Sequence, residues 1–439
     1  MIKKVGKFIL SLLVILGVFT VGRNLIGFLT IDDAYRQSRL MVEDLEKEEQ
    51  IDHLFVGASH VFCGIVPQIM DENLGGRSFC MASSEQPMNL SLFLIQKAVE
   101  QYHTKHIYLE LSFSNAEKWH IGNWLARYYY VTDYLPFSPQ KISFLANLTD
   151  VNSYVNSFMP EHRSYSTLFD PKEVNDILSR KLAGDDPSVP QTNSYIYEGR
   201  GAVISEEALD SHGIFDEYDL PSLNSEDINK AWKSELMKIV SYCQENQVEL
   251  TLFEAPVSDF LLSLWPDYDA FHSYVAGVAA ENGLPFYDFN LAKTEYWPYD
   301  PALFWEKAHL NKVGRERFSD LFCDVLTGRL LPEQVFYAKV SDRAESYKPC
   351  ILGIYYRDKK HSDPTRTERQ ARIISNQPEK ITCELFCLTE DGQREIISTE
   401  MDDITLNPYE TRDYHIEYRD RESGAVLGET ILKPVTAEK

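Results

Sequence analysis

Residues 54–60 read Leu54-Phe55-Val56-Gly57-Ala58-Ser59-His60, an apolar run that stops at a glycine and is followed by a small hydroxyl. This pattern is typical of a buried parallel strand that delivers a side chain to the carboxyl edge of a sheet, where ligands bind in open α/β folds. Ser59 is therefore a candidate nucleophile. A serine in a plain structural turn would give the same local pattern.

A second segment, Glu306-Lys307-Ala308-His309-Leu310-Asn311, stands 250 residues later, immediately before a helical pattern over residues 312–326. A carboxylate three residues ahead of a histidine can share its loop and orient the imidazole ring. The histidine could then take the proton from Ser59. The alternative role of His309 is to cap the following helix.

These two segments, in this order, resemble the first and last sequence blocks of the SGNH (GDSL-type) hydrolase superfamily. More narrowly, they are similar to the membrane-anchored branch that includes DltD-like and alginate-acetylation-like proteins of bacterial envelopes. The resemblance covers residues 51–330 and implies that Ser59 is the nucleophile, His309 the base and Glu306 the acid. The family usually has an aspartate at the acid position. Because glutamate is one methylene longer, Asp300 is the alternative acid.

The two middle blocks of the family match this chain less well. In residues 79–87, Ala82 stands where the oxyanion glycine would be usual, and the Gly-x-Asn block is not recognisable. The resemblance implies an oxyanion hole built from the Ser59 N–H, an N–H near Ala82 and Ser83, and the Asn115 amide. The departures also support an alternative function, a catalytically degenerate SGNH-fold protein that binds or scaffolds envelope components.

The composition excludes some function classes. The chain has 439 residues and a formal net charge of −24, which argues against nucleic acid, since binding to phosphates needs clustered Lys and Arg. The same charge argues against an anionic membrane surface as partner of the main body. The cysteines form neither a CxxC pair nor an even set, so we predict no zinc site, no disulfide framework and no cofactor. They stand at positions 63, 80, 243, 323, 350, 383 and 387.

The N-terminus combines basic residues with an apolar run. Lys3, Lys4 and Lys7 precede residues 8–22, which carry no charge, and Arg23 interrupts the run before the apolar residues 25–29. The uncharged run is shorter than the ~20 residues that span a bilayer, but an arginine near the end can snorkel. We predict a signal anchor over residues 1–31 with the main body extracytoplasmic. A cleaved signal peptide and a buried helix of a soluble protein are the alternatives.

The rest of the chain predicts a linker helix at residues 32–50 and then two domains, the first of which carries an insertion. Strand and helix patterns alternate over residues 51–335, which predicts a three-layer α/β/α domain with a parallel sheet. Within it, residues 112–225 look irregular and aromatic, with Trp119 and Trp124. They are predicted to be a lid over the substrate, with structural padding as the alternative. Short strands separated by polar turns over residues 340–439 predict a small β-sandwich-like domain.

Together these features predict an extracytoplasmic serine esterase or O-acyltransferase. Through the resemblance, its substrates are expected to be acyl groups on envelope polysaccharide or teichoic acid, carried through an acyl-serine intermediate. An acyl-serine can pass its acyl group to water or to a sugar hydroxyl, and both outcomes stay open. A further interpretation is that the β-rich domain docks a membrane acyl-transfer partner.

Overall fold

The structure, a computed structural model, describes residues 2–31, 36–117, 125–148, 153–183, 195–209, 213–216, 230–265, 268–360 and 367–435. The helices are α1 Ile2–Thr30, α2 Arg36–Leu45, α3 Ser59–Gly64, α4 Pro67–Leu74, α5 Met88–Tyr102, α6 Phe113–Glu117, α7 Leu125–Thr132, α8 Pro139–Leu148, α9 Tyr154–Phe158, α10 Pro160–Ser164, α11 Pro171–Ala183, α12 Lys230–Glu245, α13 Asp259–Leu264, α14 Tyr268–Asn282, α15 Lys312–Leu326, α16 Pro332–Val335 and α17 Val340–Ser346.

The strands are β1 His53–Gly57, β2 Ser78–Ala82, β3 His106–Glu110, β4 Ile196–Gly199, β5 Ala202–Ile204, β6 Ile214–Asp216, β7 Glu249–Glu254, β8 Phe286–Asp288, β9 Ile351–Lys360, β10 Thr367–Ser375, β11 Ile381–Leu388, β12 Arg394–Ser398, β13 Ile404–Leu406, β14 Tyr414–Asp420 and β15 Val426–Leu432. The chain forms two compact units, residues 1–48 with 120–203 (unit 1) and residues 49–119 with 204–439 (unit 2).

A five-stranded parallel sheet in the order β2-β1-β3-β7-β8 forms the centre of unit 2. On one face, the rings of Phe55, Tyr108 and Phe253 meet Phe322 of α15. The helices α5 and α12 pack against each other and against strands β1 and β7. The predicted α/β class with a parallel sheet is confirmed, because buried apolar strands alternate with amphipathic helices as the sequence indicated.

The residues after β1 form two short helices, α3 and α4, with a break between them. Pro67 is the first residue of α4, where its missing N–H leaves no hydrogen bond unmade, and the two residues before it are extended. The break separates a short helix that begins at Ser59 from a second helix that packs on α15.

The C-terminal strands pair antiparallel in two sheets around a shared apolar core, with strand orders β13-β10-β9 and β12-β11-β14-β15. Buried and more exposed residues alternate along β14, where Tyr414, Ile416 and Tyr418 face the core. Cys383 and Cys387 are buried in the same core as free cysteines. Strand β6, from the region predicted as an irregular insertion, extends one of these sheets by pairing in parallel with β9.

The described part of residues 112–225 is more regular than the sequence indicated. It holds helices α6 to α11 and strands β4 to β6, although Trp119 and Trp124 lie outside the described residues. Most of these helices have five to ten residues, too few to show a clear apolar period. Prolines begin α8, α10 and α11, where they are compatible with a helix start.

Unit 1 contains helix α1, which is apolar throughout most of its length. The helical segment over residues 5–30 is long and apolar enough to cross a membrane. The most apolar stretch of this segment is not buried against the described part of the protein. A signal sequence passes the same test of length and composition.

Candidate active site

Ser59 is the first residue of α3, directly after strand β1. Gly57 has a φ of +158°, and a Cβ atom at this position would lie 2.7 Å from Glu110 Cβ and 2.8 Å from Glu110 Oε2. A side chain is excluded by this close approach, so the position requires glycine. The glycine lets the chain turn against β3, and Ser59 follows at the carboxyl edge of the sheet.

The structure brings Ser59, His309 and Glu306 together. His309 Nε2 lies 2.6 Å from Ser59 Oγ, and His309 Nδ1 lies 2.5 Å from Glu306 Oε1. An ionised carboxylate only accepts hydrogen bonds, so His309 Nδ1 carries the proton. His309 Nε2 therefore accepts a hydrogen bond from the Ser59 hydroxyl. This is the tautomer that a serine nucleophile needs. The His309 side chain is 21% exposed, so the site is open to a reactant.

Glu306, rather than Asp300, is the acid that faces His309. Burial raises the pKa of the Glu306 carboxyl, but the charge and hydrogen bond of His309 and the Ala308 N–H outweigh burial and hold this pKa below its ordinary value. The Ala308 N–H donates to Glu306 Oε1 over 3.0 Å. Asp300 instead accepts the Ala302 N–H over 2.9 Å at the start of a 3-10 turn. The longer glutamate side chain therefore reaches the ring within its own loop.

The loop that carries the base and the acid is held at both ends. Phe304 and Leu310 form an antiparallel bridge, and the Trp305 N–H donates to the His309 carbonyl over 3.1 Å. Asn311 then caps α15, because its side chain accepts the Gly314 N–H over 3.0 Å. These bonds fix the loop geometry before any substrate is present, as preorganised catalysis requires.

The oxyanion candidates lie near the turn that carries Ser59. Ala82 ends β2 directly opposite Gly57 in the parallel register, so Ala82 and Ser83 reach the same edge of the sheet as Ser59. The Ser83 hydroxyl donates to Gln86 Oε1, and Asn115 Nδ2 lies 3.4 Å from the Gln86 carbonyl. Asn115 thus contacts the Gln86 segment in the structure, and its role as an oxyanion donor stays a prediction.

Glu110 is a site residue that sequence reasoning missed. It ends β3, its side chain is fully buried, and its Oε2 accepts the Ala58 N–H over 3.0 Å. Its Oε1 lies 3.1 Å from His60 Nδ1. One carboxylate therefore contacts the chain on both sides of Ser59. A charged residue at the end of an otherwise apolar strand was the available signal.

Two rings contact His309. The Trp305 ring stacks on the imidazole with centroids 5.7 Å apart, and the His60 ring lies 5.2 Å away. His60 therefore packs on the candidate base and lies within hydrogen-bond distance of Glu110. Trp305 directly precedes Glu306, but a single aromatic in a loop carries no signal of this contact.

A second buried glutamate ends β7, the strand beside β3. Glu254, at the end of β7, is 1% exposed, and its Oε1 has no hydrogen-bond partner within the described part of the chain. Burial, together with the negative charges of Glu110 and Asp288, raises the pKa of Glu254 well above its ordinary value. The environment of Glu254 in the folded protein therefore favours the neutral acid over the carboxylate.

No family model and no curated protein matches the sequence of this chain. Among solved structures, a GDSL-like lipase from Bacteroides thetaiotaomicron is 9% identical, with a TM-score of 0.33, over 68% of this chain and 100% of that one. A lipase/acylhydrolase from Enterococcus faecalis is 11% identical, with a TM-score of 0.32, over 64% of this chain and 98% of that one. A similarity with TM-scores this low carries no argument about chemistry. The chemistry of the site is therefore inferred from the geometry of the site alone.

Proposed function

We propose that this protein is a serine esterase or O-acyltransferase of the SGNH type, with Ser59 as nucleophile, His309 as general base and Glu306 as the acid that orients His309. The observation that carries the proposal is the continuous chain of two short hydrogen bonds from Ser59 Oγ through His309 to Glu306. Because a serine hydroxyl is a weak nucleophile, such a chain is the arrangement that activates it.

In the proposed reaction, Ser59 Oγ attacks the acyl carbonyl while its proton moves to His309 Nε2. The negative charge on the carbonyl oxygen is stabilised by the Ser59 N–H and by an N–H of the Ala82–Ser83 segment. His309 then gives the proton to the leaving alcohol, and an acyl-serine remains. A second hydroxyl, from water or a sugar, attacks the acyl group and loses its proton to His309, which returns it to Ser59 Oγ.

We further propose that the site acts outside the cytoplasm on acyl groups of envelope polysaccharide or teichoic acid. Helix α1 would anchor the chain, and Lys7 on the basic side of its apolar stretch would stay inside. The substrate class rests on the resemblance of residues 51–330 to the membrane-anchored envelope proteins.

The test is labelling by a fluorophosphonate probe together with turnover of a small activated ester. We expect the full chain in detergent to be labelled and to hydrolyse the ester, and Ser59→Ala to lose both, with turnover reduced by ~1000-fold or more. Ser263→Ala, which changes an exposed serine on α13, is the matched control and should keep parental activity.

Failure of labelling and of turnover in the parental protein would instead support the binding or scaffold function. If activity is present, adding a polysaccharide acceptor separates the two reactions. With a donor whose acyl group is labelled, a transferase moves the labelled acyl group to the sugar. An esterase instead releases the labelled free acid at the same rate with or without acceptor.

A further inference from the structure

The outer end of helix α1 is bonded into the folded part of unit 1. Arg23 forms an ion pair with Glu161, and its Nη2 also donates to the Phe158 carbonyl over 3.2 Å. About two turns further along the helix, Thr30 Oγ1 and Ser164 Oγ share a hydrogen bond of 3.0 Å. The last two turns of α1 therefore run beside α10, and the side chains of Arg23 and Thr30 find hydrogen-bond partners there.

Lys181 of α11 completes this end of the helix. Its Nζ donates to the Phe28 carbonyl over 2.9 Å and lies 5.2 Å from the centre of the Phe28 ring. The last carbonyls of a helix lack partners within the helix, and a cation is favoured at that end. A spanning helix that only anchored the chain through a loose tether would need none of these contacts.

The length of α1 places these contacts near the membrane boundary. The helix has 29 residues, which corresponds to about 43 Å, whereas the hydrocarbon core of a bilayer is about 30 Å thick. If the span begins near Val5, about 20 residues bring it to Asn24. Arg23 and Thr30 then lie at and just beyond the outer boundary of the hydrocarbon.

An exposed apolar patch follows directly on this contact. Residue 165 comes one position after Ser164, and the 3-10 turn Tyr165–Phe169 exposes Tyr165 by 53%, Leu168 by 38% and Phe169 by 81%. In a 3-10 helix, side chains three positions apart align, so Tyr165 and Leu168 share one side. We call these three residues the juxtamembrane patch. Aromatic side chains of this kind are enriched where membrane meets water.

We propose that the juxtamembrane patch inserts into the interface of the outer leaflet, so that unit 1 rests on the membrane through this surface as well as through α1. The occupant is lipid, because the bonds of Glu161, Ser164 and Lys181 keep the patch beside the end of α1, where lipid is always present. The inference rests on the anchoring proposed above for α1, but not on the acyl chemistry at Ser59.

The seven native cysteines allow a direct test. All are buried, so a single new surface cysteine can be labelled selectively. The full-length variant Phe169→Cys carries a nitroxide and is placed in nanodiscs of phosphatidylcholine and phosphatidylglycerol. Collisions with oxygen, which enriches in lipid, and with a water-soluble nickel chelate then report the depth of the label. Val426→Cys, on a strand of unit 2 and 55% exposed, is the control.

We expect the label at residue 169 to collide more with oxygen than with the nickel chelate, and the label at residue 426 to behave as in water. Equal water-like behaviour at both positions would overturn the proposal. So would water-like behaviour at residue 169 in nanodiscs together with capture of a protein in native membranes by a thiol-specific crosslinker on unlabelled Phe169→Cys, since the occupant would then be a protein. Ester turnover of the same samples is measured separately, so a failure here is distinct from a failure of the proposed chemistry.

Discussion

At the scale of single residues, the site depends on which atoms a carboxylate can reach. Glu306 bonds both His309 Nδ1 and the Ala308 N–H from within one loop. A glutamate at this position is therefore compatible with the hydrogen-bond geometry that a serine triad requires. The acid needs only to hold the correct imidazole tautomer and to stabilise the imidazolium.

The first prediction is that Glu306→Gln lowers kcat for ester hydrolysis by at least ~100-fold while leaving the fold intact. An amide N–H facing Nδ1 favours the tautomer with the proton on Nε2, which cannot accept the Ser59 proton, and an acid-to-amide change in a serine triad can cost ~10⁴-fold. Asp300→Asn is the matched control and should keep near-parental turnover. The reverse result would assign the acid role to Asp300.

The second prediction concerns Glu110 as a positioning residue. A carboxylate can accept from both Ala58 and His60, whereas the amide of Glu110→Gln has one acceptor oxygen and one donor nitrogen. We expect Glu110→Gln to lower kcat by ~10-fold or more with little change in KM, because Ser59 is displaced from His309 without loss of substrate contacts.

Steady-state kinetics with the small ester measure this split between kcat and KM. Glu249→Gln, at the opposite end of the neighbouring strand β7 and largely exposed, is the control. A parental kcat in Glu110→Gln, or a change confined to KM, would remove Glu110 from the positioning of the nucleophile.

At the scale of elements, the position of His309 depends on how α15 packs against the residues before it. Gly314, the third residue of α15, approaches the chain so closely that a Cβ atom there would lie 2.0 Å from the Leu303 carbonyl oxygen. Because that neighbour is backbone, it cannot move aside by changing a rotamer. The loop from Leu303 to Asn311 must therefore sit directly against this helix.

The third prediction is that Gly314→Ala destabilises the protein by ~1–3 kcal/mol, the usual cost of overpacking. We also expect lower ester turnover, because the added methyl group displaces the loop that carries His309. Urea unfolding and ester kinetics measure the two effects. Gly277→Ala in α14 is the same change at a site with no atom within 4 Å, and it should be neutral or stabilising by up to ~1 kcal/mol. Parental stability and turnover in Gly314→Ala would show that the loop yields without cost.

At the scale of the whole molecule, the buried carboxyl of Glu254 links stability to pH. Its pKa is raised in the folded protein by burial and by the nearby charges of Glu110 and Asp288. The folded protein then holds a proton that the unfolded chain releases once the pH exceeds the ordinary pKa of glutamate. The stabilising contribution is complete below that value and is lost as the pH rises towards the folded pKa.

The fourth prediction is that Glu254→Gln weakens this dependence. For the parental protein, Glu254 contributes a fall in the free energy of unfolding of up to ~1.4 kcal/mol per pH unit from about pH 5 upward, until the folded carboxyl itself loses its proton. Glutamine mimics the neutral acid and has no proton to lose, so the variant should lack this part of the slope. Urea unfolding at several pH values measures it, with the surface variant Glu281→Gln as control. Identical slopes in parent and Glu254→Gln would contradict the assignment.

The sequence by itself determined the class of the fold and the two segments that meet at the candidate site. Apolar strands, amphipathic helices and their turns repeat over short distances, so the parallel sheet, α15 over residues 312–326 and strand β14 are readable from local pattern. The spacing from Glu306 to His309 is equally local. For this reason Ser59, His309 and Glu306 could be named without coordinates.

Only the tertiary structure decided which side chains support them. Glu110 lies 52 positions from Ala58, and β6 joins β9 across more than a hundred residues. The bonds of Lys181 to the end of α1 likewise span 153 positions. Such contacts are set by how buried polar groups find partners once the elements pack, and no short-range period in the chain encodes that choice.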